Sequence, residues 1–370
     1  MNMINDEEIE GLDINPSEGW EDYPLDAVFV RNETRTVAEV VKRIRANRYQ
    51  LDPDFQRDFV WDASKQSRLI ESCLMRIPLP VFYVAETKNG TIAVVDGLQR
   101  LTTFHHFLDD KFALQLDAPD ESRPHSLNKK KFSELPLNLQ ERIEDTQLTL
   151  YILDAAAPER AKLDIFERVN NGVPLTRQQM RNCLYNGRAT QWLKDSATSE
   201  YFLKATGGSL NAKSMRDREA INRFCAFYLL GETTYRGDID KFLALALEEM
   251  QKESTDLALL QQRFTNAMQV NSELFDGHAF RKSMVAHLEG KTPSRSVLNI
   301  ALFDVCSVLF AQVSVELTSA KSAELRDAIA GLLDNADFIH AITYSTNSTR
   351  QVLTRFQMAR QALSTVISSC

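Results

Sequence analysis

The sequence predicts an α+β fold: a small mixed sheet with its helices in the first part, then an all-helical remainder. Three observations lead there. Short β-rich runs at 81–84, 91–95 and 147–153 all precede residue 156, interleaved with helix-periodic segments. Asn89-Gly90 separates the first two runs, the strongest short hairpin signal, and makes them antiparallel neighbours. From Pro158 onward apolar residues recur at three- and four-residue intervals in segments near 158–170, 176–186, 214–230, 238–251, 255–270, 297–317, 321–333 and 349–367. The chain thus divides into an acidic, weakly structured lead-in (1–24), a mixed domain (25–156) and a helical domain (157–370).

Each element has a local reason. Residues 27–30 read as a short strand, and Thr36 with Glu39 forms a capping box for a helix burying Val37, Val40, Val41 and Ile44. Ser64 caps a second helix with Leu69, Ile70, Cys73 and Leu74 on its apolar face, ended by Pro78 and Pro80. Residues 147–153 are β-rich and read as a buried strand. Pro174 blocks continuation of the helix before it, and Thr176 with Gln179 caps the next.

Composition narrows the function classes. With 43 Lys+Arg against 51 Asp+Glu, the net charge of −8 advertises no global nucleic-acid field, so such contacts must be local. The cysteines, at 73, 183, 225, 306 and 370, form no C-x-x-C pair; they read as reduced thiols of a cytoplasmic protein. No long apolar span calls for a membrane, and no G-x-S-x-G, Walker glycine loop or H-x-x-x-H zinc spacing occurs. Lys129-Lys130-Lys131 reads as a solvated run.

The densest chemistry is Asp96-Gly97-Leu98-Gln99-Arg100-Leu101-Thr102-Thr103, between the 91–95 run and the periodic Leu101, Phe104, Phe107 and Leu108. That order is strand, tight turn, helix start. A helix start offers unpaired N–H groups and partial positive charge to a phosphate. Arg100 adds a planar fork, and Asp96 is a candidate for a metal or a water. The plainer alternative is a strand–helix junction with an Asp cap and a surface Arg. Upstream, Phe55, Phe59 and Trp61 are anchors that either present Gln56 and Arg57 to a site or leave them on the surface; Lys65 and Arg68 follow on the next helix. Downstream, Glu167 and Asn170 in Glu167-Arg168-Val169-Asn170-Asn171-Gly172 are oxygen ligands suited to magnesium, or part of a connector. Arg216, Arg223 and Lys213 either touch nucleic acid or pin their helix, and His105 and His106 either face the box or pack.

Taken in order, the Gln56-Arg57…Trp61, 96–103 and 170–176 stretches resemble the N-terminal domain of GmrSD-type restriction endonucleases, of the ParB/sulfiredoxin-like superfamily. The likeness extends through Asp217-Arg218-Glu219, Arg223-Phe224 and Tyr235. The resemblance implies a ParB/sulfiredoxin-like nucleotide-binding domain at 25–156, and an NTPase acting as regulator or sensor in bacterial anti-phage, restriction-like defence on DNA. Carried over, Asp96, Gln99 and Arg100 are catalytic, and Gln56, Arg57, Lys65, Gly97, Thr102 and Thr103 bind the nucleotide. Glu167 and Asn170 hold Mg2+. It further implies a nucleoside triphosphate, DNA and a separate nuclease or effector subunit as partners of a homo-oligomer. The alternative is a ParB-like protein that binds or cuts modified DNA directly. Leu98 stands where the family usually has Gln, so binding is the first expectation and turnover the second. Only His340 lies near the end, without the paired His and Asn of an HNH nuclease, so no nuclease half is expected.

Overall fold

The computed structural model describes residues 9–12, 30–51, 61–116, 125–169, 175–291 and 296–367. Their contacts divide the chain into two compact units, Glu21–Asn186 and a second made of Met1–Trp20 with Gly187–Cys370.

The first unit runs β1 (Val30–Thr36), α1 (Val37–Arg45), β2 (Tyr49–Gln50), α2 (Ala63–Leu74), β3 (Phe82–Glu86), β4 (Ile92–Asp96), α3 (Leu98–Leu108), α4 (Leu137–Glu144), β5 (Gln147–Leu153), α5 (Glu159–Val169) and α6 (Arg177–Leu184). Its five strands form a mixed sheet in the order β1-β5-β3-β4-β2. β1 is antiparallel to β5, β5 parallel to β3, β3 antiparallel to β4, and β4 parallel to β2. The sheet is buried on both faces. Phe82, Val84, Ile92, Val94, Leu148, Leu150 and Ile152 pack with the apolar residues of α1, α2 and α3. Ala85, Ala93, Val95 and Leu153 pack with Leu163 and Phe166 of α5 and Met180 and Cys183 of α6. Double coverage explains why β4 is apolar at four consecutive positions rather than alternating.

It also explains where the unit ends. The sequence changes character near residue 156, but α5 and α6 cover the second face of the sheet. The contacts therefore divide the chain at 186/187, and a cut at 156 would expose Ala85, Ala93, Val95 and Leu153. Thr36 caps α1 through Glu39 N at 3.2 Å, and Thr176 and Gln179 form the reciprocal box on α6. The cap of α2 is Asp62, accepting from Lys65 N at 2.8 Å, and not Ser64, which lies inside the helix.

The second unit is helical: α7 (Arg188–Ala197), α8 (Glu200–Thr206), α9 (Arg216–Leu230), α10 (Ile239–Gln251), α11 (Leu257–Phe275), α12 (Met284–Leu288), α13 (Ile300–Phe310), α14 (Val315–Ala320), α15 (Ser322–Leu333), α16 (Ala336–Thr343) and α17 (Thr349–Ile367). One helix expected over 297–317 is two. Asn299 caps α13, Ser314 caps α14, and Asn266 Nδ2 donates to the carbonyls of Phe310 (3.1 Å) and Val313 (2.7 Å) between them. α13 is buried nearly all round and carries Asp304 at its centre. Part of the lead-in also belongs here. Ile9 and Leu12 are buried, and Glu10 bridges to Asn299, with Glu10 N donating to Leu298 O and Ile300 N to Glu10 O. The four described cysteines are free and buried, and no described helix is long and apolar enough to cross a membrane.

Candidate functional site

The box sits where β4 ends and α3 begins. Asp96 is the last residue of β4, and Gly97 turns the chain with φ at +98°, a left-handed conformation that glycine adopts without penalty. There is no room for a side chain at this turn. A Cβ on Gly97 would lie 2.4 Å from Phe82 Cδ1. No side chain caps α3, so Asp96 is not an Asp cap and the helix start keeps its N–H groups for another acceptor.

Arg100 faces inward. It is 8% exposed, and its Nη1 donates to the Pro80 carbonyl while Nη2 donates to Val81 O (3.0 Å) and Asp96 Oδ2 (2.9 Å). Its guanidinium also lies over the Phe82 ring, 4.2 Å from the centroid. Burial pulls this guanidinium below its ordinary value, and the Asp96 carboxylate opposes that. Arg100 therefore fixes the start of β3 to the end of β4; its described bonds position the turn. Pro80, Val81 and Phe82, which build this cradle, carry no sequence signal beyond their place at the start of a strand.

The remaining box residues divide by where their polar atoms go. Thr103 is buried and returns its hydroxyl to Gln99 O at 2.7 Å, the local bond of a helical Thr. Gln99 accepts from Trp61 N at 3.2 Å, which joins the Trp of the upstream stretch to the box. Among the described residues, Gln99 Nε2, Asp96 Oδ1 and the half-buried Thr102 hydroxyl have no partner. Lys65 and Glu167 are exposed, and neither side chain meets a described partner. Gln56, Arg57 and Asn170 lie outside the described residues. No cluster of three His, Cys, Asp or Glu able to hold a metal occurs among the described residues.

His105 does not face the box. Its Nε2 lies 3.1 Å from Asp109 Oδ2 at the far end of α3, beside Arg45 and Lys111. Burial lowers His105 and His106, with Lys111 adding to the effect on both. The unfolded chain then takes up more protons below the usual His value of about 6.5, so stability falls as pH drops through that window. The thermal midpoint is expected to decrease between pH 7.5 and 5.5, less steeply in His105→Gln/His106→Gln; an unchanged slope would exclude these two residues.

In the helical unit, Arg223 is a pin and no nucleic-acid contact. It is 2% exposed, with Nε and Nη2 on Asp304 at 2.8 and 2.6 Å. Arg355 Nη2 reaches the same Asp304 at 2.8 Å, and Tyr235 donates to Asn347 O at 2.6 Å. Arg216 pairs with Glu219 at 3.4 Å.

The first unit is thus an α+β domain built on a mixed sheet, with the polar groups of the box at an uncapped strand–helix junction. Residues 37–186 match the family model of the GmrSD restriction endonuclease N-terminal domain. The match ends at the last residue of the first compact unit. No curated protein and no solved structure matches the chain.

Proposed function

We propose that the 96–103 box binds a nucleoside triphosphate and hydrolyses it, as the regulatory or sensor part of a restriction-like anti-phage defence system acting on DNA. The family supports the defence setting. The observation that carries the nucleotide reading is the uncapped start of α3 behind a glycine turn, with two donors left over beside it. In this reading the helix N–H groups take a phosphate, and Gln99 Nε2 and the Thr102 hydroxyl donate to its oxygens. Gln99 also orients the attacking water. Gly97 lets the backbone approach, and Thr103 holds the helix turn that carries Gln99. Lys65, Gln56 and Arg57 supply further contacts, while Arg100 acts as a positioning residue.

A carboxylate beside phosphate oxygens repels them unless a cation stands between. Asp96, with Oδ1 unpartnered among the described residues, would therefore hold Mg2+ arriving with the nucleotide, with Glu167 and Asn170 as further oxygen ligands. One or two carboxylates plus phosphate oxygens are a usual magnesium set, and bound magnesium neutralises charge during phosphoryl transfer. A separate nuclease or effector subunit and self-association belong to the same proposal.

Equilibrium binding of fluorescent NTPs, with and without Mg2+, tests it. Asp96→Asn is expected to lower Mg2+-dependent affinity about tenfold or more, as loss of a charged contact does. Thr102→Ala is expected to lower it several-fold, both with unchanged circular dichroism. Absence of NTP binding by the wild type, or Asp96→Asn indistinguishable from it, rejects the site.

A further inference from the structure

A second anionic site is written into the other end of β4. There a cavity of about 230 Å³ is lined by Arg31 and Arg35 of β1, Arg43 of α1, Arg48, Tyr49 and Glu86. Ile92, which opens β4, also lines it, whereas Asp96 closes the strand. At about 3.3 Å per residue the two ends are about 13 Å apart, so this cavity is not the box.

Its charges are ordered. Arg31 is held by Glu33 (3.0 Å), Glu86 (2.8 Å) and Asp154 (3.8 Å), Arg35 by Glu33 and Glu39 (3.8 Å), and Arg43 by Glu39 (2.9 Å). The Arg48 side chain is exposed and has no partner among the described residues. Four carboxylates thus stand against the guanidiniums of Arg31, Arg35 and Arg43, and Arg48 adds a fourth positive charge with no described carboxylate beside it. Tyr49 accepts from Arg35 Nη1 at 2.9 Å, which leaves its own proton to donate. Basic residues in the last turn of α1, Lys42, Arg43 and Arg45, suit the helix dipole. The dipole does not account for Arg48, beyond the helix, or for Arg31 and Arg35 on a strand. Fixed guanidinium forks and a phenol donor match a tetrahedral phosphate. Arg43 and Arg48 are exposed, so a chain of phosphates can run on past a single bound group.

We propose that this cavity takes a phosphate of a nucleic-acid backbone, with Arg48 and Tyr49 as its direct contacts and Arg31, Arg35 and Arg43 as its positive wall. The proposal needs nothing of the nucleotide reading at the box. Fluorescence anisotropy of a short labelled DNA duplex with the full chain, repeated over a salt series, tests it. Arg48→Ala, which leaves no described partner behind, is expected to weaken binding about tenfold for every sequence and to lower the salt slope by about one. Tyr49→Phe is expected to weaken it several-fold, and Asp96→Asn to leave it unchanged. Absence of duplex binding, or unaltered affinity and slope in Arg48→Ala, overturns the proposal. Binding of inorganic phosphate that is lost in Arg48→Ala, without duplex binding, also overturns it in favour of a free-anion site.

Discussion

Asp304→Ala is expected to destabilise the helical unit by about 3–5 kcal/mol, the largest effect of any single substitution considered. Asp304 is fully buried in an otherwise apolar helix and holds two buried guanidiniums, Arg223 and Arg355. Burial pulls both arginines down; Asp304 more than offsets this at Arg223, whereas Arg355 stays lowered to about 10. Without the carboxylate, two positive charges remain in an aromatic core beside Phe227, with only Glu219 near Arg223 to offset them in part. A typical domain has only about 5–15 kcal/mol of net stability, so most of this unit's margin would go. Urea unfolding gives the number. The triple variant Asp304→Leu/Arg223→Met/Arg355→Met is expected to recover much of it, because replacing a whole buried ion cluster by apolar groups is often neutral. A loss below about 1 kcal/mol in Asp304→Ala would show that the cluster is not the pin described here.

Gly97→Ala is the second large effect and acts on the other unit. The left-handed backbone penalises an L side chain by about 1–2 kcal/mol. The new methyl would also meet the Phe82 ring at 2.4 Å and Arg100 Nη2 at 3.2 Å, an overpacking cost of about 1–3 kcal/mol. Because Phe82 also lies against the Arg100 guanidinium, the strain reaches the cradle that sets Asp96. Denaturant unfolding and NTP binding are both expected to suffer. Phe82→Leu in the Gly97→Ala background should restore part of the stability through its more adaptable side chain, and additive losses in that double-mutant cycle would remove the clash from the account.

Much of the first unit was legible because its signals are local. Gln147–Leu153 is a strand over the span read from its residues, Asn89-Gly90 is the β3–β4 turn, and Val37, Val40, Val41 and Ile44 are the buried stripe of α1. The domain edge was less legible. Which helices cover a sheet's second face depends on tertiary packing, and α5 and α6 are as periodic as any helix of the other unit. At the box, the residue order gave the strand, turn and helix start that are observed, but the inward direction of Arg100 depends on carbonyls at Pro80 and Val81, twenty and nineteen positions away. The Asp304 cluster had one usable signal: a lone carboxylate in the apolar run Ile300–Phe310 must find a partner when buried. Its partners Arg223 and Arg355 are too distant in sequence for spacing to join them.

The pairing of Glu10 with Asn299 has a consequence for how the molecule is made. These residues are about 290 positions apart, and the whole Glu21–Asn186 unit lies in the chain between them. The α+β unit is therefore an insertion, tethered to the helical unit at both of its ends. During synthesis residues 9–12 emerge well before their partners next to and in α13, with the whole inserted unit made in between. Closing that contact is slow and entropically costly across an unfolded chain. It is easier if the inserted unit has already folded and drawn its two ends into one compact body, since domains fold as units in the order they leave the ribosome. Residues 9–12 thus wait for α13, and folding of the sheet in between is what shortens the wait.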